Sequence, residues 1–231
     1  MATWIAHLRV AEKLLEEFNF LDVQGFLVGN IGPDSGVPNE DWSAFSPPKI
    51  ISHWYNDIRD IVPEDYRMKY LSDISKYTDL EKSFYLGYYT HLLSDVEWGV
   101  LYKKKLEETL YKDSLEKDPK FIWTIKKDWY GQDHLYLRDN KQSIFFKAFI
   151  KIKEFPNTYF DFFSPTAFTR QINYITDFYQ NFNENLDRSF VYLTKEEMDT
   201  YVENTTKLIS DLLHSNLLKV ENIRLFSIRE D

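Results

Sequence analysis

The sequence predicts an all-α fold, a single multi-helix bundle over residues 1–231. Three observations carry that expectation. Apolar residues recur at helical rather than alternating spacing along almost the whole chain. Several segments open with recognisable helix-start chemistry. Strand signals are few, with no alternating runs joined by Asn-Gly or Asp-Gly turns.

Taken in order, Trp4 to Phe18 carries apolar residues at 5, 8, 10, 11, 14, 15 and 18, one helical stripe. His7, Arg9 and Glu12 interrupt it, so it reads as an amphipathic helix and not as a signal peptide. A second apolar segment runs from Phe20 to Val28. Four of the seven glycines then fall between 25 and 36, with Pro33 and Pro38, which predicts a long irregular loop to about Pro48. Pro63 followed by Glu64 and Asp65 fits a helix start, because proline lacks only a donor that the first turn leaves unpaired and acids suit the positive helix end.

Thr78-Asp-Leu-Glu81 is a capping box opening a helix to about Lys112. The segment KDWYGQDHLYLRDN reads as a solvated, turn-forming stretch around Gly131. Ser164-Pro165 predicts a helix through about Phe182, and Thr194-Lys-Glu-Glu197 a last helix to about Leu218. The tail VENIRLFSIRED reads as a strand or a docked extension.

Composition bounds the function. A chain of this length buries roughly 70–75% of its unfolded surface and needs no disulfide or metal merely to fold. No cysteine is present, which agrees with a reducing, cytoplasmic setting and removes zinc fingers, redox dithiols and cysteine nucleophiles. No run approaches a membrane span. The formal charge of −9 argues against nucleic acid as a partner. The basic runs at 103–105 and 126–127 read as solvated helix faces. Aromatic residues are dense between 155 and 182, either as core or as the wall of a substrate pocket.

The residues with most chemical content form the stripe Gly87–His91–Asp95–Gly99. Residues four apart share a helix face, so His91 and Asp95 point the same way, with glycines one turn above and below leaving room for an ion. Taken alone, such a pair is more often a surface pair or a core hydrogen bond than a metal site. His7, His53, His134 and His214 are each weak singly. Nucleophile-elbow, Walker A, GxGxxG and HExxH patterns are absent.

The order of residues adds to this. A His on the first helix, a Gly-rich stretch ending in Pro33-Asp34, His53 before an aromatic, and FYLG-x3-H-x3-D at 84–95 together resemble the zinc-dependent phospholipase C family. The resemblance covers roughly residues 4–100. It implies a helical fold and a zinc site formed by Asp34, His53, His91 and Asp95, with Asp95 bridging to a second zinc that also takes His7. It further implies that Asp34 orients or deprotonates a water during phosphoester hydrolysis.

The chain departs from the family in two ways. Family members place the free amine and carbonyl of an N-terminal Trp on zinc, whereas Trp4 here follows Met-Ala-Thr and lies only three positions before His7, so that ligand is expected to be lost or replaced. The family's third site, built from a His shortly after the bridging Asp and a His-x3-Glu pair, is incomplete; Asp128, Asp133 and His134 are the candidates for a replacement. No membrane-targeting β-sandwich follows, which fits a stand-alone intracellular branch. The expected substrate is a small phosphoester or a phospholipid head group. The alternative is a catalytically silent metal-binding or partner-binding helical protein.

Overall fold

The computed structural model describes residues 1–231 except Trp42, Glu184 and 228–231, and for 216–227 it describes the backbone alone. The architecture is all-α, as the periodicity predicts. The helices are α1 (Trp4–Glu17), α2 (Val23–Ile31), α3 (Lys49–Ser52), α4 (Pro63–Tyr70), α5 (Asp79–Glu107), α6 (Thr109–Lys117), α7 (Ile122–Asp139), α8 (Ile144–Lys147), α9 (Ala167–Gln180) and α10 (Lys195–Ser227). A short antiparallel pair, β1 (Val37–Pro38) and β2 (Phe45–Ser46), pairs Val37 with Ser46 and Pro38 with Phe45. No helix among the described residues is long and apolar enough to cross a membrane.

Helix α5 is the axis of the fold. Its capping box forms: the Thr78 amide donates to Glu81 at 2.9 Å, and the Glu81 amide donates to the Thr78 hydroxyl at 3.2 Å. From Ser83 to Leu92 every residue is buried, so this stretch is enclosed on all sides. Its main partner is α2, and glycine explains the fit. A Cβ on Gly29 would lie 2.0 Å from the Phe84 carbonyl oxygen, and one on Gly87 would lie 2.2 Å from that of Phe26. The two backbones touch because neither glycine carries a side chain.

This packing corrects two expectations. Helix α2 continues to Ile31, past the apolar segment that ends at Val28, because Gly25 and Gly29 serve helix approach instead of chain reversal. Gly87 does not leave space for an ion, since its face is filled by α2; Gly99 has nothing within 4 Å of its Cβ position.

Other boundaries also shift. Residues 122–139 form one continuous helix, half-buried along its length, with Gly131 admitting the Phe190 ring at 2.2 Å from its Cβ position. Helix α9 starts at Ala167, after the Pro165 carbonyl has accepted the Asn157 amide at 2.8 Å. Helix α5 ends at Glu107 and α6 follows separately. The second capping box opens α10 as expected, but the backbone remains helical to Ser227, past Leu218 and into the tail; the tail's last residues, 228–231, lie outside the described ones. Lys105 departs from a solvated face: it is buried and pairs with Glu108 and Glu197, each at 2.8 Å.

The aromatic stretch is mostly core. Phe155, Phe160 and Phe168 are buried around Phe84, and buried Phe163 packs on Phe168. Its far end, Tyr174 and Phe178, instead meets Trp4 edge-on with ring centroids 5.6 Å apart in each case.

Candidate metal centre

Four elements deliver side chains to one buried point. Helix α1 contributes His7, the turn after α2 contributes Asp34, the end of α3 contributes His53, and α5 contributes His91 and Asp95. His7, His53 and His91 are fully buried, and the Asp34 side chain, 7% exposed, is the least enclosed of the group.

The atoms converge without bonding well to one another. His7 Nε2 lies 3.4 Å from Asp95 Oδ1, and His91 Nε2 lies 3.4 Å from Asp95 Oδ2. His53 Nε2 lies 3.3 Å from Asp34 Oδ1 and 3.7 Å from Asp95 Oδ2. The Nε2 atoms of all three histidines and Asp95 Oδ2 are buried with no hydrogen-bond partner. Unpaired buried polar atoms are costly, and here they share one location. Zinc with bonds of about 2.0–2.1 Å gives a tetrahedral edge of about 3.3–3.4 Å, close to the separations observed. Nitrogen and carboxylate oxygen are also the donors zinc takes readily. The residues therefore fit such an ion.

Two overlapping groups result, His7/His91/Asp95 and Asp34/His53/His91, each with its ligand atoms within 4.8 Å of one another. His91 belongs to both groups. Asp95 directs one oxygen toward His7 and the other toward His53 and His91.

Supporting contacts orient these groups. His91 Nδ1 donates to the Asn30 carbonyl at 2.8 Å, which leaves Nε2 to face the cluster. His53 Nδ1 pairs with the Ser52 hydroxyl at 2.9 Å. The His7 and His91 rings stack with centroids 3.9 Å apart. The Trp4 indole N–H donates to Asp34 Oδ2 at 2.9 Å, and the Ala2 amide donates to Asp95 Oδ1 at 2.7 Å. Trp54, directly after His53, has φ of 56°, a left-handed conformation uncommon for a bulky residue.

The electrostatics follow from burial and proximity. Burial, reinforced by His91, pushes His7 down to about 4, and burial also lowers His53. For His91, burial is outweighed by the Asp95 charge, and its value rises. Burial opposes ionisation of both carboxylates. Hydrogen bonding from His53 and the nearby cations still hold Asp34 below the usual carboxylate range. The positive charge of the Met1 amine, then His91 and His7, do the same for Asp95.

Asp128, Asp133 and His134 are not brought together. Asp128 bonds Arg188 and accepts the Tyr192 amide at 2.8 Å. Asp133 accepts from Thr3 at 2.6 Å and from Tyr179. His134 stacks on Phe182 with centroids 3.5 Å apart. They make no metal-sized group with one another among the described residues. The fifth histidine, His214, pairs with Glu17 at 2.6 Å far from the cluster in sequence and on an exposed surface.

Sequence reasoning passed over Asn30, Ser52 and the Trp4 indole as partners of the cluster. Ser52 carried a signal in its adjacency to His53; Asn30 acts through its carbonyl and carried none.

Among known proteins, no family model matches this chain, and no curated protein or solved structure matches it.

Proposed function

We propose that the chain is a zinc-dependent hydrolase of phosphoesters, similar in its chemistry to the zinc-dependent phospholipase C family and acting in a reducing cytoplasm. The observation that carries this reading is the convergence of three bare imidazole nitrogens and two carboxylates at one buried point. When bound, a zinc ion polarises a phosphoryl oxygen and acidifies water.

The chain's own residues do the rest. His91 and His53 present fixed nitrogens because their Nδ1 atoms are occupied by Asn30 and Ser52. Asp95 spans the two groups. Asp34, anchored by the Trp4 indole and facing His53, would orient the attacking water. The packed helices exclude bulk solvent from the far side of the cluster, where His7 and Asp95 are buried.

The test is hydrolysis of p-nitrophenyl phosphoesters and phosphatidylcholine by zinc-loaded wild type and by His91→Ala. Turnover that is abolished in the variant supports the reading. Equal activity in both rejects it, and zinc uptake without any turnover favours a metal-binding protein without catalysis.

A further inference from the structure

Three successive residues leading into α1 each give one donor to a buried carboxylate. The Ala2 amide donates to Asp95 Oδ1 at 2.7 Å, the Thr3 hydroxyl to Asp133 Oδ1 at 2.6 Å, and the Trp4 indole to Asp34 Oδ2 at 2.9 Å. Asp95 and Asp34 belong to the metal centre; Asp133 does not. The Thr3 carbonyl also accepts the His7 amide at 3.1 Å, the first bond of α1. Thr3 therefore stands next to the groups that hold Asp95 and Asp34, and one hydrogen bond from the backbone of His7.

Thr3 occupies the N-cap position of α1, where a threonine hydroxyl ordinarily accepts an amide of the first turn. Its side chain makes no such bond and reaches α7 instead, so a tertiary bond replaces a local one. Asp133 is 1% exposed and is held from its other side by the Tyr179 hydroxyl of α9, which makes it a fixed anchor. Hydroxyls both donate and accept, so the anchor persists in either protonation state of the acid.

We propose that Asp133 is a positioning residue for the metal centre, acting through Thr3 to set Asp95, Asp34 and His7 in place. The inference rests on the metal-centre reading and not on hydrolysis. The argument is directional. Trp4 occupies Oδ2 of Asp34, which leaves Oδ1 turned to His53. Ala2 donates to Oδ1 of Asp95, whose Oδ2 faces His53 and His91. Outer hydrogen bonds of this kind orient the carboxylates that hold an ion. Without the Thr3 anchor, both bonds are kept only at the entropic cost of ordering the segment before the helix. Asp133, a replacement ligand by its sequence context, thus acts on the ion at one remove.

The experiment compares wild type with Thr3→Val, Thr3→Ser, Asp133→Leu and the Thr3→Val, Asp133→Leu double variant. Chelator competition measures zinc affinity, and the visible absorption of cobalt-loaded protein reads the ligand geometry. Hydrogen exchange of the Trp4 indole in metal-free protein, assigned with Trp4→Phe, reads the Asp34 contact. Circular dichroism establishes that each variant folds. Thr3→Val is expected to weaken zinc binding about tenfold, to shift the cobalt bands and to speed indole exchange. Thr3→Ser keeps the hydroxyl and is expected to restore all three. The double variant is expected to lose no more than either single one, since both remove one bond. A Thr3→Val protein with unchanged zinc affinity and cobalt spectrum overturns the proposal, even where its Tm falls, because a bond that only holds the fold gives that pattern. Additive losses in the double variant overturn it too. If Asp133→Leu does not fold, the two Thr3 variants decide alone. If wild type binds neither zinc nor cobalt, the metal-centre reading fails by itself, and indole exchange then decides: acceleration in Thr3→Val supports the positioning of Asp34, and no change removes it.

Discussion

The Asn30 carbonyl receives the Nδ1 proton of His91 across 2.8 Å, linking the end of α2 to the middle of α5. Because a carbonyl only accepts, this bond places a proton on Nδ1 and leaves Nε2 as the ring nitrogen that faces Asp95. The bond depends on the backbone contact of α2 with α5 through Gly29 and Gly87. A packing feature thus sets the chemistry of a ligand.

Gly29→Ala tests that dependence. The added methyl would lie 2.0 Å from the Phe84 carbonyl oxygen, so the helices must separate. A loss of about 1–3 kcal/mol or more is expected, with weakened zinc binding because the Asn30 carbonyl moves with α2. Thermal unfolding and zinc titration check this; a variant with unchanged Tm and zinc affinity contradicts it.

Ser52→Ala removes the hydroxyl that pairs with His53 Nδ1 at 2.9 Å. Loss of an outer partner of this kind costs about 10–100-fold in metal affinity. Competition with a chromophoric chelator measures it, and unchanged affinity would show that Ser52 does not orient the imidazole.

The stability of the fold is expected to depend on pH through Asp133. Burial raises this carboxyl to about 7 in spite of its bonds to Thr3 and Tyr179. Its folded value lies above the ordinary aspartate value of 3.8, so its contribution is fully present below about pH 4 and is lost as pH rises toward 7. Asp133→Asn removes this slope. Relative to wild type, the variant should gain on the order of a few kcal/mol between pH 4 and 7. Denaturant unfolding across that range reads the difference, and parallel stability–pH curves for the two proteins count against a buried neutral acid.

Chelation should destabilise the protein, because removing a bound ion leaves three imidazole nitrogens and a carboxylate oxygen buried and unpaired. At zinc concentrations of about 100 times Kd, binding contributes about 2.7 kcal/mol, which corresponds to roughly 5–10 °C in Tm for a chain of this size. Calorimetry with EDTA, then with zinc restored, checks the shift. An identical Tm in both states argues against occupancy.

Much of the fold is legible in the sequence because helix starts are local chemistry. Thr78 and Thr194 open helices through bonds to residues three positions away, and Pro63 needs only its fixed φ. Helix α2 is not legible in the same way, since its glycines resemble loop punctuation until α5 lies against them. Gly131 misleads for the same reason, its space being filled by Phe190 from a distant segment. Within the site, the titratable residues are visible through type and order. The contacts of the Trp4 indole and of the Asn30 carbonyl depend on tertiary neighbours that no local pattern announces.

Metal analysis of the protein purified without chelator tests the central claim most directly. The account predicts about one or two equivalents of zinc in wild type, falling below about half an equivalent in His91→Ala, whose missing imidazole belongs to both ligand groups. Less than about half an equivalent in wild type, with no uptake of zinc or a related transition metal on titration, contradicts the metal centre and the hydrolase built on it.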